Sequence, residues 1–297
     1  DTTGQLQPRL DGAVLHEGIA KDLADVEKPA RDATFNVSSG RPRVVPGRPG
    51  RAVDPGQLAA AVLPVLARTG ADRSAQVALT EAEPKVTTAQ AEALGVRQLV
   101  ATYTTYYPSD FPPRLTNIHR AADLMDGTLV LPGKVFSFNK TVGERTAARG
   151  FAAGFIINGG RLEVDYGGGV SQLATTTFNA AYFAGLGIVE HNPHSFYISR
   201  YPEGRESTIA WGVKDLRIRN DSPHGVYLTT AYTNSSVTVR VWGTKRFRIE
   251  STTSPRYDVT PYRTVYDPDP PGTDPGDCVA TEGVPGFRVI VKRLFYQ

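Results

Sequence analysis

Residues 167–187 constrain the fold more than any other part of the chain. Three consecutive glycines are followed by Val-Ser-Gln and then by a largely apolar run without Gly or Pro until Gly185. The spacing of apolar and small residues predicts a helix from about Ser171 to a stop at Gly185 or Gly187. Backbone N–H groups and the helix dipole favour negative charge at such an N-terminus. The position suits a nucleophile that forms an oxyanion, but serine is also a preferred N-cap, and this segment alone favours the structural role.

Several further blocks follow one another in order between residues 107 and 244. They are FPPRLTNI at 111–118, LPGKVFSFN at 131–139, TVGER at 141–145, GF at 150–151, GGGVSQ at 167–172, HSF at 194–196, AWG at 210–212 and DLRIRN at 215–220. Together they resemble the VanW domain, a family found in bacterial envelope proteins. The resemblance implies work on the cell wall, since some members are associated with L,D-transpeptidation, the cross-linking of peptidoglycan stem peptides.

The resemblance also implies a catalytic position, and the chain departs from the family there. The Gly-rich loop of those members ends in Cys-Gln, with the cysteine as proposed nucleophile, whereas this chain has Ser171-Gln172. A thiol ionises partly near neutral pH, and more so at a helix N-terminus. A serine hydroxyl instead needs a general base within hydrogen-bond reach.

Two candidate bases lie just beyond the expected helix, in the segment EHNPHS at 190–195. His194 is the first choice because its block matches the family, and His191 is the second. The more common role of a lone histidine is an imidazole that faces solvent or bonds a backbone carbonyl. Two histidines three residues apart could also ligate a metal, but no Cys or carboxylate cluster completes a set, so neither a metal nor another cofactor is expected.

Other residues are expected to surround Ser171. Backbone N–H groups near residues 170–173 would hold the oxyanion, and the predicted substrate-binding residues are Gly168, Gly169, Gln172, Arg205 and Asp215. Gln172 would orient a substrate amide or cap the helix end. Arg205 either pairs with a substrate carboxylate in bidentate fashion or lies in a solvated turn.

Asp215 belongs to an alternating pattern that predicts a strand. The alternation places Leu216 and Ile218 on one face and the charged residues on the other. Asp215 therefore either orients a histidine or pairs with Arg217, two residues further along.

Composition restricts the function classes. The 297 residues have ordinary charged (21%) and apolar (40%) fractions, typical of one to three folded domains. The net charge of +3 gives no case for a nucleic-acid partner. Cys278 is the only cysteine, which fits an exported protein without a disulfide framework, although it could pair with a cysteine outside the fragment. No apolar run reaches the roughly 20 residues that span a bilayer, and the chain begins at Asp1, so we expect that an export signal or membrane anchor is missing from this fragment.

The pattern of elements predicts an α+β protein. It divides into a small α+β module at 1–86, a linker at 87–106, a strand-rich VanW-like domain at 107–245 and a Pro-rich extended segment with a terminal strand at 246–297. The main helical patterns are at 20–24, 55–67 and 112–125, and strand patterns are at 33–37, 43–46, 75–79 and 282–293. The first module resembles the one called peptidoglycan-binding that often precedes VanW or L,D-transpeptidase domains.

These observations predict an extracytoplasmic protein of the cell envelope whose partner is the peptidoglycan stem peptide. In the enzymatic form, Ser171 attacks in an acyl transfer and His194 accepts its proton. The alternative is a non-catalytic module that binds or scaffolds peptidoglycan through the same groove, and serine at the cysteine position favours it. A third interpretation is a structural domain that couples membrane to wall.

Overall fold

The computed structural model describes residues 8–70, 73–158, 161–262 and 283–297. Cys278 and the prolines between 268 and 275 lie outside the described residues. The chain forms two compact units, one made of Asp1–Asn36 and Val44–Ala93, the other of Val37–Arg43 and Leu94–Gln297. Both helices and strands build the protein, so the predicted α+β class is confirmed.

The first unit consists of short helices and strands. The elements from the beginning of the chain to residue 93 are α1 (Gly12–Gly18), α2 (Ala20–Leu23), β1 (Thr34–Asn36), β2 (Arg43–Val45), β3 (Gly50–Val53), α3 (Pro55–Val62), β4 (Leu79–Ala82) and α4 (Thr88–Ala93). Asp54 caps α3 by accepting the Gln57 N–H at 2.8 Å, with Pro55 at the first helical position as the sequence predicts. The strand expected at 75–79 instead begins at Leu79, where the chain pairs with β3.

The second unit is larger and rich in strands. Its elements are β5 (Gln98–Tyr106), α5 (Pro112–Met125), β6 (Thr128–Val130), β7 (Val135–Ser137), α6 (Phe138–Val142), β8 (Ala153–Asn158), β9 (Arg161–Tyr166), α7 (Ser171–Phe183), β10 (Gly187–Glu190), β11 (Arg217–Arg219), β12 (Val226–Tyr232), β13 (Ser236–Gly243), β14 (Arg248–Thr253), β15 (Tyr257–Thr260), β16 (Gly286–Arg288) and β17 (Val291–Tyr296). An antiparallel sheet has the order β5-β13-β12-β6, and a second has the order β10-β11-β7. Three strand pairs complete the unit: β8–β9, β14–β17 and β15–β16.

Two of these features extend what the sequence indicates. Strand β5 lies in the stretch for which we expected a linker and pairs with β13 along its length. The terminal strand pattern at 282–293 becomes two strands, β16 and β17, and β17 folds back onto β14. In β11 the alternation is as predicted, because Leu216 and Ile218 are buried while Arg217 and Arg219 are exposed.

Helix α7 is the centre of the second unit. All its side chains from Gln172 to Tyr182 are buried, and the helix packs on β5, β13 and α5. Gly185 has a φ of +76°, and its N–H donates to the Tyr182 carbonyl while the Leu186 N–H donates to the Ala181 carbonyl. This Schellman arrangement confirms the predicted stop at Gly185.

Candidate binding site at the N-terminus of helix α7

The three glycines before α7 form a tightly packed turn. Gly167 and Gly169 have φ values of +87° and +98°, a region that side chains disfavour. A Cβ on Gly168 would lie 2.6 Å from the backbone carbonyl carbon of Gly154. Asn117 braces the turn by donating to the Gly168 carbonyl at 3.0 Å. The predicted substrate-binding Gly168 is buried, so both it and Gly169 act on the site through the shape of this turn.

Ser171 is the first residue of α7, and it contacts a hydroxyl rather than a histidine. Its Oγ lies 3.3 Å from Thr208 Oγ1. The hydrogen bonds that His191 and His194 make within the described residues go to Glu206. Ser171 and the two histidines therefore share a neighbourhood, since Thr208 is two residues from Glu206, but they form no nucleophile–base hydrogen bond in this structure.

The backbone donors at the start of α7 are mostly occupied. The N–H groups of Val170, Gln172 and Leu173 donate to the carbonyls of Gly167, Gly169 and Val170 at 2.9–3.0 Å. Among the described residues, only the Ser171 N–H of these four has no backbone acceptor. The oxyanion hole expected at residues 170–173 is thus reduced to one free donor.

His194 is held in a buried pair with an acid. Its Nδ1 lies 3.1 Å from Glu206 Oε2, and the two side chains are only 4% and 7% exposed. The ring stacks on Tyr201 at 5.6 Å between centroids. Glu206 lies twelve residues further along in an irregular segment, and no sequence periodicity links it to His194.

His191 packs against the middle of α7. Its ring stacks on Phe178 at 4.1 Å, and its Nε2 bonds the Glu206 carbonyl. Burial lowers the pKa of His191 below its ordinary value, which the bond to Glu206 only partly offsets. This imidazole is a partly buried packing group whose surroundings favour its neutral form.

Gln172 is fully buried, and all its hydrogen bonds are to protein groups. The side-chain oxygen accepts from Arg114 Nη2 and from the Tyr201 hydroxyl, both at 3.1 Å, and the amide nitrogen donates to the Tyr106 carbonyl at 3.2 Å. The structure therefore places Gln172 as the group that orients Arg114 and Tyr201.

Arg114, like Tyr201 and Thr208, is a residue at this site that the sequence interpretation missed. It comes from the first turn of α5, and its side chain packs on Gly169. Its Nε is buried without a hydrogen-bond partner, and within the described residues no carboxylate pairs with it. Burial lowers the pKa of Arg114, and the neighbouring Arg200 lowers it further. A sequence signal did exist, because Arg114, Asn117, Ile118 and Ala121 follow the spacing of one helix face, and the last three are buried.

Arg145 packs against the first glycine of the turn, Gly167. Its Cγ would lie 2.6 Å from a Cβ on Gly167, and its Nη1 donates to Asn139 Oδ1 at 2.7 Å. Burial lowers its pKa, while Asp215 and then Glu144 act in the opposite direction. Two desolvated guanidinium groups thus border the three glycines.

Arg205 and Asp215 lie apart from Ser171 and have structural partners. Arg205 Nη1 donates to Asn179 Oδ1 at 3.0 Å, two helical turns along α7, or about 12 Å. Asp215 accepts from the Ser137 hydroxyl at 2.5 Å and from the Asn139 N–H at 2.8 Å. Asp215 therefore ties β7 and α6 to β11, and it contacts neither a histidine nor Arg217, the two partners that we had considered.

We name Arg114, Ser171, Gln172, Tyr201 and Thr208 the α7 N-terminal site. The described part of the chain contains no group of three His, Cys, Asp or Glu residues that could hold a metal ion. In the same part, no helix combines the length and apolar character needed to cross a bilayer.

Comparison with known families and proteins gives independent information. Residues 113–242 match the family described as "VanW like protein", and residues 2–74 match the one described as "Putative peptidoglycan binding domain". The chain is 38% identical over 137 residues to the uncharacterized protein YoaR of Bacillus subtilis, a match that covers 46% of this chain and 45% of YoaR. It is 28% identical over 116 residues to the vancomycin B-type resistance protein VanW of Enterococcus faecalis, covering 37% of this chain and 42% of that protein.

The chain thus spans less than half of the length of these curated relatives. No solved structure gives a significant match. The family match begins one residue before Arg114 and ends at Trp242, so it includes the whole α7 N-terminal site. Residues 113–242 of this chain are therefore a VanW domain.

Proposed function

We propose that the protein works at the bacterial cell wall as a peptidoglycan-binding module, and that the α7 N-terminal site receives a carboxylate of a stem peptide. Two family matches support the cell-wall role, one to a family described as peptidoglycan-binding and one to the family of a vancomycin-resistance protein. The proposed location is the cell envelope, outside the cytoplasm.

The observation that carries the proposal is the uncompensated charge of Arg114. A buried charge is costly unless a partner of opposite sign offsets it. Here Arg114 has neutral partners in Gln172 and Tyr201, a neighbouring cation in Arg200, and the positive end of a helix dipole beside it. All three features are consistent with a site that is completed by an anion.

A carboxylate is the anion that the donors fit best. A guanidinium binds carboxylates in a planar, bidentate fashion. The Ser171 N–H at the start of α7 supplies a further donor. Stem peptides are rich in carboxylates, and Tyr201, which bonds Gln172, gives the site a buried aromatic wall.

Calorimetric titration with a synthetic stem tetrapeptide tests this function. We expect Arg114→Met to weaken binding at least tenfold, about 1.4 kcal/mol, because methionine keeps the unbranched apolar stem of the side chain but removes the guanidinium. Arg217→Met is the matched control, since it removes an exposed arginine of β11 and should bind like the parent protein. Equal affinity of the parent protein and Arg114→Met, or no binding by the parent protein, would contradict the proposal.

Acyl transfer by Ser171 is the second candidate function, and the His194–Glu206 pair favours it. An acid that binds Nδ1 of a histidine leaves Nε2 available to take a proton, as in a Ser-His-acid triad. The Ser171–Thr208 contact opposes it, because the hydroxyl is bonded away from both histidines. Catalysis would require Ser171 to change its rotamer when substrate binds.

Mass spectrometry of muropeptides separates the two functions. For a binding module, the parent protein and Ser171→Ala both leave disaccharide-tetrapeptides unchanged and both remain bound to wall sacculi. Cross-linked dimers, or stems shortened by one residue, that form with the parent protein and not with Ser171→Ala or Glu206→Gln would establish serine-based acyl transfer.

A further inference from the structure

An exposed tryptophan stands on a rigid turn beside the site. Trp211 is 47% exposed, and Val213, on the same turn, is 79% exposed. The turn is closed by two backbone hydrogen bonds between Ala210 and Lys214, at 2.9 and 3.0 Å. The side-chain amide of Asn139, a residue that is 9% exposed, donates to the carbonyls of both Ala210 and Lys214. The indole is therefore presented to solvent by a turn that its own backbone and a buried amide hold in place.

Arg145 joins this turn to the glycine turn. Its guanidinium carbon lies 5.9 Å from the centre of the Trp211 ring, and Nη1 of the same side chain is fixed by Asn139. The aliphatic part of Arg145 packs against Gly167. Arg145, which carries Trp211 beside it, thus packs on the first of the three glycines, and Arg114 packs on the third.

We propose that Trp211 is a stacking platform for a sugar ring of the glycan strand, so that the protein binds stem peptides that are still attached to glycan. This inference rests on the proposed stem-peptide function. A large exposed aromatic side chain offers apolar area at little cost in conformational entropy when it is held in one orientation. The apolar face of a pyranose ring is a natural partner for such a flat surface, while its hydroxyls remain in solvent.

The arrangement around the glycine turn favours a glycan over other occupants. A disaccharide-peptide carries a sugar at one end and carboxylates along the peptide, in one covalent unit. The VanW domain offers the two complementary groups at the two ends of the three-glycine segment: an indole over Arg145, which packs on Gly167, and the guanidinium of Arg114, which packs on Gly169 and has no carboxylate partner among the described residues.

Intrinsic fluorescence tests the proposal directly, because the chain contains two tryptophans in contrasting surroundings. Trp242 is 4% exposed, and its Nε1 donates to Thr229 Oγ1 at 2.8 Å, so a ligand at the surface should leave its emission unchanged. Titration of the parent protein with a disaccharide-tetrapeptide should shift the emission of Trp211 to shorter wavelength. Trp211→Ala should abolish this shift and keep the Trp242 emission, which also reports that the variant is folded.

Affinities for three probes complete the test. Trp211→Ala should weaken binding of the disaccharide-tetrapeptide at least tenfold, leave that of the free tetrapeptide unchanged, and remove any binding of an N-acetylglucosamine tetramer. Val213→Ala, on the same turn, is the matched control and should bind all three probes like the parent protein.

Two outcomes would overturn the inference without touching the stem-peptide function. In the first, Trp211→Ala binds the disaccharide-tetrapeptide as tightly as the parent protein does, while Arg114→Met does not. In the second, Trp211→Ala loses binding only to phosphatidylglycerol vesicles, which would make the turn a membrane contact. A parent protein that binds neither the tetrapeptide nor the disaccharide-tetrapeptide would overturn both proposals.

Discussion

The two ends of α7 each meet an arginine from another element, in opposite electrostatic settings. At the C-terminal end, Arg293 of β17 donates to the Leu186 carbonyl at 2.8 Å and to the Ala181 carbonyl at 3.3 Å. At the N-terminal end, Arg114 of α5 approaches the Gly169 turn, where the helix presents N–H groups. A cation is favourable at the C-terminal end of a helix, where the dipole is negative, and unfavourable at the N-terminal end, where it is positive.

The difference teaches which arginine is structural. Arg293 lies between the rings of Tyr182 and Phe295, 4.7 Å from each centroid, and its hydrogen bonds reach the Leu186 carbonyl and the Ala181 carbonyl, which also accepts the Leu186 N–H. Among the described residues, Arg114 has only the neutral partners Gln172 and Tyr201, and its Nε, like that of Arg293, is buried without a hydrogen-bond acceptor. We therefore expect Arg293 to contribute to the free energy of unfolding, and Arg114 to contribute to ligand binding at some cost in stability.

Replacing Arg293 should have the largest effect on stability. Arg293→Met removes charge-assisted bonds to two carbonyls and leaves the Leu186 carbonyl without its side-chain donor, which costs about 2–3 kcal/mol. Urea denaturation measures the loss, with Arg288→Met, at a side chain 72% exposed, as a control expected within about 0.5 kcal/mol of the parent protein. Stem-peptide affinity should be unchanged. If Arg293→Met is as stable as the parent protein, Arg293 does not have the structural role that we assign to it.

The glycine at the same helix end should give the next largest effect. Gly185→Ala forces a side chain into a backbone conformation with φ of +76°, and the new Cβ would lie 3.0 Å from Phe247 Cδ2. We expect a loss of about 2 kcal/mol. Gly133→Ala is the control for the backbone term alone, because its φ is +72° and nothing lies within 4 Å of the added Cβ. Equal losses in the two variants would show that the packing around Phe247 relaxes freely.

The sequence predicted the helices of the second unit better than it predicted the site. Helix α5 has the predicted bounds of 112–125, and α7 runs from Ser171 to the predicted glycine stop. The spacing of apolar residues, together with proline and glycine at the ends of the helices, determines such elements locally. Helix α5 begins at Pro112, and proline is favoured in the first turn of a helix.

The site depends on contacts that no local pattern encodes. Glu206 reaches His194, and Tyr201 reaches Gln172, from an irregular segment whose path is fixed only by tertiary packing. The partners of Asp215, Ser137 and the Asn139 N–H, are more than 70 residues away in the sequence, so no local pattern around Asp215 indicates them. Arg114 had a readable signal, a charge on an apolar helix face, which indicates either a buried ion pair or a ligand site.

Replacing Arg114 should change stability little, in contrast to Arg293. Arg114→Met removes an uncompensated buried cation, which favours folding, and also removes the bond to Gln172, which opposes it. The two effects nearly cancel, so we expect the free energy of unfolding to stay within about 1 kcal/mol of the parent value or to rise. Urea denaturation of Arg114→Met and Arg293→Met side by side gives the comparison. If Arg114→Met lowers the free energy of unfolding as much as Arg293→Met does, the two arginines both stabilise the fold and the contrast between the ends of α7 is wrong.

His191, packed on α7 between these two ends, should make the smallest contribution, and one that depends on pH. Because burial lowers its pKa in the folded protein, the unfolded chain takes up the proton first as the pH falls below about 6.5. The free energy of unfolding should therefore fall from this pH downward, until the folded protein also protonates. His191→Gln keeps a donor for the Glu206 carbonyl but cannot titrate, so the stability difference between parent and variant should shrink or reverse between pH 7.5 and 5. A stability difference that does not change with pH would mean that the pKa of His191 is the same in the folded and the unfolded protein. In that case the packing against the middle of α7 leaves the imidazole accessible to solvent.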